Sequence, residues 1–277
     1  MRKHEKLEKI LRFIYVIAVI CLLYFPIFII VVLSFDKDQT GQTWGGFTLK
    51  WYAEIFMLDR LRTSILNTFA VALCTTIISS VAGTFIAIGI NNLSKKKKKY
   101  MMLINNVPIL NAEIVTGISV MLVCSLIIPY AFGFTTMLIA HVFFTIPYVV
   151  LNVLPKLGEI DDNLYEAAVD LGCKPFKSLV KIIIPAIDTG IISGALLAFT
   201  MSIDDFVISY FTSGNGFTNF SNYVYTSLGK RHFSPGAYAF NALLTLIILV
   251  VLLVSNFVVK PKKKKGGKNQ WKKSYFS

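Results

Sequence analysis

The chain alternates long apolar runs with short polar segments. Six of these runs are close to or longer than the ~20 residues that an α-helix needs to cross a bilayer. The pattern therefore predicts an all-α, polytopic membrane protein. Its six predicted transmembrane helices cover about residues 10–33, 64–90, 100–127, 135–154, 186–211 and 238–259. A polar loop, 155–185, separates the fourth helix from the fifth; residues 1–9 precede the first helix, and a basic tail, 260–277, follows the last.

The first apolar run, Ile10 to Leu33, is predicted to stay in the membrane. A signal peptide has an apolar core of about 7–15 residues followed by a small-residue cleavage site. This run is longer, and it ends in Ser34-Phe35-Asp36. It therefore predicts a transmembrane helix, with Pro26 as a candidate kink.

Composition and charge agree with a membrane protein. Apolar residues make up 55% of the 277 residues and charged residues 16%, whereas soluble domains average about 25% charged residues. The formal net charge is +13, but the basic runs adjoin apolar runs, which favours contact with membrane lipid over contact with nucleic acid. With a cytoplasmic N-terminus, 22 of the 28 Lys and Arg residues lie in cytoplasmic segments and six lie outside. This bias predicts a multi-pass protein of the cell membrane with both termini in the cytoplasm.

The loop at residues 155–185 has the signals of a short helical hairpin. The segment from Asp161 to Asn163 can cap the start of a first helix. Gly172 stands where the end of that helix requires a residue with positive φ. Pro175 suits the first turn of a second helix, predicted from Phe176 to Ile184. On the cytoplasmic side, such a loop predicts a docking surface for another protein.

The order of residues in this loop matches a known motif. Glu166-Ala167-Ala168, three further residues, Gly172, nine further residues and Ile182-Ile183-Ile184-Pro185 follow one another. The segment resembles the EAA motif of the membrane subunits of ABC importers, whose pattern is E-A-A, three residues, G, nine residues, I-x-L-P. Only the leucine differs, being Ile184 here, and the spacing is kept. The resemblance implies that the loop inserts into a groove on a separate ATPase and follows its motion.

The resemblance gives each motif residue a role in coupling to the ATPase. Glu166 offers a charge at the contact, Ala167 and Ala168 permit close approach, Gly172 sets the bend, and Pro185 opens the next apolar run. The alternative is an amphipathic interfacial hairpin without a partner. The sequence has no G-x-x-x-x-G-K-[ST] phosphate-binding loop. We therefore expect no cofactor on this chain, no enzymatic activity of its own, and ATP and Mg²⁺ on the partner ATPase.

Further segments narrow the resemblance to the spermidine/putrescine permease subunits of ABC importers. They are Ser202 to Ser209 (S-I-D-D-F-V-I-S), Ser234-Pro235, and Asn111 to Ser119, in which Ala112 stands where that family often has proline. The resemblance covers roughly residues 10–260. It implies an assembly of two homologous permease subunits with an ABC ATPase dimer, supplied by an extracytoplasmic polyamine-binding protein.

Acidic residues within the apolar runs are candidates for a cation path, because a charge at a helix centre in hydrocarbon costs about 2.5–3.5 kcal/mol. Glu113 lies 13 residues into the third run, roughly 20 Å along a continuous helix. Asn106 lies two turns earlier on the same face of such a helix. A polyamine carries ammonium groups separated by methylene chains. Its path therefore requires acidic or amide side chains that are separated from one another by apolar or aromatic side chains. The alternative is a protonated or hydrogen-bonded carboxyl, although no Lys or Arg other than Arg12, at the very start of the first run, lies within the runs to pair with it.

Asp204 and Asp205 come late in the fifth run. Neighbours on a helix point about 100° apart, so we expect one of them to line the path and the other to pack against a helix end or the outer loop. Phe206, Tyr210 and Phe211 can add cation–π contacts to a passing amine. The alternative is an ordinary interfacial pair that faces water.

Other notable residues in the runs have structural explanations. Asp188 lies in the first turn of the fifth run, where the helix dipole stabilises a carboxylate. His141 has no second His or Cys nearby, which favours a hydrogen-bonded core histidine over a metal ligand. Gly190, Gly194 and Ala198 recur every four residues and predict close packing against another helix.

The leading interpretation is the permease subunit of an ABC importer for polyamines. One alternative is an ABC permease for another solute, although an anion carrier should show basic groups inside the runs. A stand-alone secondary transporter would not need the loop at residues 155–185. A membrane enzyme would need a nucleophile–base pair or clustered metal ligands, which His141 and scattered serines do not supply.

Overall fold

The computed structural model describes residues 2–38, 44–127, 132–160, 168–170, 172–214, 216–228 and 235–258. This part of the chain is all-α, as the apolar runs predict. Its helices are α1 (Arg2–Leu33), α2 (Lys50–Met57), α3 (Asp59–Asn91), α4 (Lys95–Leu110), α5 (Glu113–Ile127), α6 (Phe134–Leu157), α7 (Pro175–Ala186), α8 (Asp188–Asp204), α9 (Val207–Thr212), α10 (Phe220–Leu228) and α11 (Pro235–Val258). The chain forms two compact units, residues 1–242 and 243–277, and the site described below lies in the first.

Among the described residues, three helices are long and apolar enough to cross a membrane unaided. They are Glu8–Leu33 within α1, the whole of α3, and the whole of α6. Two pairs, α4 with α5 and α7 with α8, reach that length only as bent pairs, with bends of 99° and 73°. α11 contributes a shorter apolar helix, Gly236–Val250. The elements thus follow the predicted runs, except at two breaks.

The first break lies in the predicted third transmembrane helix, so the expectation of a continuous helix there is wrong. α4 ends at Leu110, and Asn111 is extended, with φ −75° and ψ 145°. Pro108 has no backbone donor and asparagine favours helix ends. The bend of 99° between α4 and α5 means that Asn106 and Glu113 do not share one helix face.

The second break lies in the predicted fifth helix, which is also not continuous. α8 ends at Asp204, and Asp205 is extended, with φ −64° and ψ 127°. The Asp205 carboxylate accepts hydrogen bonds from the backbone N–H groups of Ile208 (3.3 Å) and Ser209 (2.7 Å). It therefore caps the short helix α9, whose first N–H groups have no partner within the helix.

The core of the first unit forms where α3, α6 and α8 pack together. A Cβ atom on Gly83 of α3 would lie 2.7 Å from Val149 Cβ, and one on Gly194 of α8 would lie 3.1 Å from Val149 Cα. One on Gly190 would lie 2.8 Å from Lys156 Cγ. The small residues predicted on the fifth run therefore do face another helix, and they allow the backbones of α6 and α8 to approach closely.

The described part of the loop at residues 155–185 contains the predicted glycine bend. Gly172 has φ +82°; its N–H donates to Val169 O at 2.9 Å, and the N–H of Cys173 donates to Ala168 O at 3.1 Å. This pair of bonds is the Schellman ending of an α-helix. Pro175 opens α7 as predicted.

Pro185 is placed differently from the prediction, and part of the motif lies outside the described residues. Pro185 lies inside α7, and the apolar helix α8 starts only at Asp188, because Ile187 leaves the helical region with φ −107° and ψ 15°. The predicted N-cap at Asp161 to Asn163 and the motif residues Glu166 and Ala167 lie outside the described residues.

Candidate functional site

Both helix breaks open onto one cavity of about 600 Å³. α4 and α8 end at this cavity, while α5 and α9 begin there. Side chains from the two breaks and from α6 line it, including Asn111, Glu113, Thr116, Tyr148, Asp204 and Phe206. Residues far apart in sequence are therefore brought together by two interruptions that the hydrophobic pattern alone does not reveal.

Glu113 and Asp204 present free carboxylates to the cavity. Both residues are exposed, and neither carboxylate has a hydrogen-bond or ion-pair partner among the described residues. The described residues that line the cavity include no Lys or Arg. An unpaired carboxylate in a confined, partly apolar space attracts a cation that can supply the missing charge.

The helix ends reinforce this preference. The C-terminal end of a helix carries a partial negative charge from its unpaired carbonyl groups. α4 and α8 both direct this end to the cavity, and Asp204, the last residue of α8, adds a full negative charge there. Broken transmembrane helices use such C-terminal ends to hold cations. The cavity is therefore suited electrostatically to a positively charged ligand.

Thr116 adds an unused hydrogen-bonding group. It lines the cavity, its side chain is buried, with 5% relative exposure, and its hydroxyl oxygen has no hydrogen-bond partner among the residues that the structure describes. Sequence reasoning missed Thr116, although its position three residues after Glu113 places both on one face of α5. A bound ammonium or a water molecule can satisfy this hydroxyl.

Asp205 is a structural residue rather than a second free charge. Its relative exposure is 9%, its carboxylate caps α9, and its backbone carbonyl accepts a hydrogen bond from the side-chain amide of Asn219 at 3.2 Å. This is the arrangement expected for the one aspartate of the pair that packs against a helix end. Both aspartates line the cavity, but among the described residues only the Asp204 carboxylate has no partner.

His141 has hydrogen bonds at both ring nitrogens, as predicted for a core histidine. Its Nδ1 lies 2.7 Å from Ser202 Oγ, and its Nε2 lies 2.9 Å from Ser209 Oγ and 3.4 Å from Asp205 Oδ2. The ring is 1% exposed. No group of three or more His, Cys, Asp or Glu residues suited to a metal ion occurs within the described part of the chain.

Two of the residues predicted for the path lie outside the cavity wall. Asn106 accepts a hydrogen bond from the neighbouring Asn105 amide at 3.3 Å and is not a lining residue. Tyr210 lies in an aromatic cluster with Phe206 and Tyr225, with ring centroids 5.8 Å and 5.6 Å from Tyr210. Phe206 both lines the cavity and contacts Tyr225 at 4.8 Å, so the cluster adjoins the cavity without Tyr210 facing it. Tyr225 was not predicted from the sequence.

A second concave surface lies on the described part of the loop at residues 155–185. A groove of about 430 Å³ is bounded by Ala168, Gly172, Cys173, Lys174, Lys177 and Ile182. The side chains of Lys174 and Lys177 are exposed. The Schellman turn at Gly172 thus forms one wall of a basic groove.

Comparison with known proteins identifies the family. Residues 79–265 match the family model described as "Binding-protein-dependent transport system inner membrane component". The chain belongs to this family. It is therefore a permease subunit of an ABC importer, as the motif in the loop at residues 155–185 predicted, and it is a membrane protein.

Named relatives cover most of the permease. The spermidine/putrescine transport system permease protein PotC of Haemophilus influenzae is 32% identical over 239 residues, covering 86% of this chain and 91% of that protein. The putrescine transport system permease protein PotI of Escherichia coli K12 is 32% identical over 232 residues, covering 82% of this chain and 81% of that protein. PotC of Escherichia coli K12 is 30% identical over 256 residues, covering 92% of this chain and 96% of that protein.

Solved structures of ABC importers share the fold. A bacterial ABC transporter involved in the import of the acidic polysaccharide alginate superposes with a TM-score of 0.72 at 16% identity, covering 93% of the permease and 98% of that chain. An inward-facing MetNI methionine ABC transporter gives a TM-score of 0.59 at 15% identity, covering 74% of the permease and 96% of that chain. At these sequence identities, the similarity to the solved structures concerns the fold alone.

Proposed function

We propose that the permease carries polyamines such as spermidine and putrescine into the cytoplasm through the cavity between the two helix breaks. The observation that supports this most strongly is the pair of unpartnered carboxylates, Glu113 and Asp204, in one cavity that has no described basic residue in its wall. A permease for cations needs negative charge that its own side chains do not neutralise.

The wall between the charges also suits a polyamine. Ammonium groups of a polyamine are separated by methylene chains, so its path should alternate charged with apolar or aromatic surface. Tyr148, Phe144 and Phe206 contribute rings to the cavity, and aromatic faces attract ammonium groups. The carboxylates and the negative ends of α4 and α8 bind the charge, while the rings contact the methylene groups. An anionic cargo would be repelled by the carboxylates and by the negative ends of α4 and α8.

The relatives support the same cargo. The names of PotC and PotI state spermidine/putrescine and putrescine transport, and each aligns with more than four fifths of the permease. The alginate importer, whose cargo is an acidic polysaccharide, shares only the fold. Within one fold, the charge lining the cavity is the feature that distinguishes a cation path from an anion path.

We infer the partners from the same argument. The permease works with a second homologous permease subunit, an ABC ATPase dimer that binds ATP and Mg²⁺, and an extracytoplasmic polyamine-binding protein. The loop with Gly172 and its basic groove faces the ATPase, and the exposed apolar side chains of α1 contact membrane lipid and the second permease. Both termini then lie in the cytoplasm, as the distribution of Lys and Arg indicates.

A panel of solutes tests the proposed cargo. The four-component importer is reconstituted in proteoliposomes, and its ATP hydrolysis is measured with the binding protein and spermidine, putrescine, a neutral sugar or an acidic oligosaccharide. We expect the two polyamines alone to stimulate hydrolysis and to be transported. Stimulation and transport by the acidic oligosaccharide, with none by the polyamines, would overturn the proposal.

A further inference from the structure

His141 connects the two halves of the broken fifth span. Its Nδ1 is hydrogen-bonded to Ser202, which belongs to α8 before the break. Its Nε2 is hydrogen-bonded to Ser209, which belongs to α9 after the break. His141 itself comes from α6, a different span. One imidazole ring therefore joins three helices at the point where the backbone of the fifth span is interrupted.

The environment of the ring defines what it can donate and accept. Nε2 faces Ser209 Oγ and the Asp205 carboxylate, at 2.9 and 3.4 Å, so the favoured tautomer carries its proton on Nε2, and Nδ1 accepts a hydrogen bond from the Ser202 hydroxyl. Phe144 of the same helix lies edge-on, 5.3 Å between ring centroids. Asp205 is the only charged group within contact distance of the ring among the described residues. The ring thus acts as one donor and one acceptor between two serines.

Asp204 lies directly at this junction. It is the last residue of α8, and the next two residues, Asp205 and Phe206, are outside any helix. Within the described part of the chain, the hydrogen bonds at the break include the Asp205 cap on α9, the Asn219 amide on Asp205 O, and the two serine contacts of His141. Of these hydrogen bonds, those of His141 link the end of α8 to the start of α9 through a third helix, α6. Apolar packing of Met201 and Ile208 against Ala140 and Phe144 lies beside them, so His141 supplies the polar part of this link.

We propose that His141 is a positioning residue for cargo: it fixes the junction of α8 and α9 so that the Asp204 carboxylate projects into the cavity that Glu113 lines. This inference rests on the proposed function for its transport consequence, but its structural part does not. Loss of the ring's hydrogen bonds should change where residue 204 lies without removing either carboxylate.

The first test measures the position of residue 204 without any cargo. Asp204→Cys is placed in a chain whose four native cysteines are replaced by alanine, and its reaction rate with a cationic methanethiosulfonate reagent is measured in the assembled importer. Adding His141→Leu, which has similar size but no hydrogen bonds, should change the rate about fivefold or more. His141→Gln, which can donate and accept, should keep it close to that of the parent. An unchanged rate with His141→Leu would overturn the inference.

The matched control removes another buried hydrogen bond of α6. Ser79 Oγ lies 2.7 Å from Thr145 Oγ1, one turn along α6 from His141 and away from the break. Ser79→Ala should leave the reactivity of residue 204 unchanged. If Ser79→Ala altered it as much as His141→Leu does, the effect would be general loosening of α6 and the inference would be wrong.

The second test asks whether His141 acts through Asp204. Spermidine uptake is measured for His141→Leu, Asp204→Asn and the double variant in proteoliposomes containing the whole importer. We expect His141→Leu to raise the KM about tenfold in the parent and less than about twofold in the Asp204→Asn background, with kcat changing little. Additive effects would overturn the inference. A parent that imports no polyamine would instead contradict the proposed function, and the reactivity of residue 204 would still decide the role of His141.

Discussion

Asp204 and Asp205 are adjacent in the sequence, yet their carboxylates have opposite surroundings. Asp204 is exposed to the cavity and has no partner among the described residues, whereas Asp205 is 9% exposed and accepts two backbone hydrogen bonds at the start of α9. The surroundings differ because α8 ends at Asp204, and the backbone of Asp205 is extended. A pair of like charges thus divides into one group available to cargo and one group that holds the fold.

This division predicts opposite effects of two similar substitutions. Asp205→Ala removes a helix cap and should lower the free energy of unfolding by about 1–2 kcal/mol, while Asp204→Ala should leave it unchanged or raise it slightly by removing an unpaired charge. Thermal unfolding of the purified importer in detergent measures both. Equal destabilisation by the two substitutions would contradict the assignment.

Thr116 should show an effect on cargo that is separate from its effect on stability. Thr116→Val removes a buried hydroxyl that has no hydrogen-bond partner among the described residues, so the empty permease should be equally stable or more stable by up to about 1 kcal/mol. Spermidine uptake should nevertheless show a KM raised about threefold, since one hydrogen bond to cargo is lost.

Thr75 provides the control for Thr116. Its hydroxyl is also buried and has no hydrogen-bond partner in the described part of the chain, but Thr75 does not line the cavity. Thr75→Val should match Thr116→Val in stability and leave the KM for spermidine at the parental value. A raised KM for both variants would mean that uptake responds to packing rather than to a contact with cargo.

Gly172 should tolerate only residues that accept positive φ. Its φ is +82°, and a Cβ atom there would meet nothing within 4 Å, so the cost of substitution is backbone strain rather than a clash. Gly172→Val should cost about 1–2 kcal/mol locally and reduce the ATP hydrolysis stimulated by the loaded binding protein. Gly172→Asn should retain most of it, because asparagine adopts this conformation more readily. Equal loss in both variants would show that size matters there, not backbone conformation.

The contact between α6 and α8 can be tested with two glycines that differ in their surroundings. A Cβ atom on Gly194 would lie 3.1 Å from Val149 Cα, a backbone atom that cannot rotate away, so Gly194→Ala should destabilise the permease by about 1–3 kcal/mol. Gly89 of α3 has open space around it, and Gly89→Ala should be neutral or stabilising. Thermal unfolding of the two variants measures their stabilities. A larger loss of stability in Gly89→Ala than in Gly194→Ala would contradict the packing of α6 against α8.

The sequence predicted the elements of the fold better than their interruptions. Apolar runs locate helices because each turn must be covered by lipid or protein, and Gly172 with Pro175 locates the hairpin because few other residues suit those backbone angles. The breaks at Asn111 and Asp205 were missed since a continuous apolar run gives no sign of where the backbone leaves the helix. Pro108 and the polar residues beside each break were the only local signals.

The candidate site was predicted in part for the same reason. Glu113 and Asp204 stood out because charges are costly within apolar runs, and the structure brings them to one cavity. Asn106 was placed on the face of Glu113 by assuming an unbroken helix, and the bend of 99° removes that relationship. Thr116 and Tyr225 were missed because threonine and tyrosine are common in such helices, and only their burial or ring contacts distinguish them.

The central claim is that the free carboxylates of Glu113 and Asp204 bind the cargo, and initial rates of ATP-driven spermidine uptake into proteoliposomes test it most directly. Glu113→Gln and Asp204→Asn should each raise the KM about tenfold, a loss of about 1.4 kcal/mol, and the double variant should abolish uptake. Asp188→Asn, which alters an exposed carboxylate at the other end of α8, should transport like the parent. Parental uptake by the double variant would contradict the account.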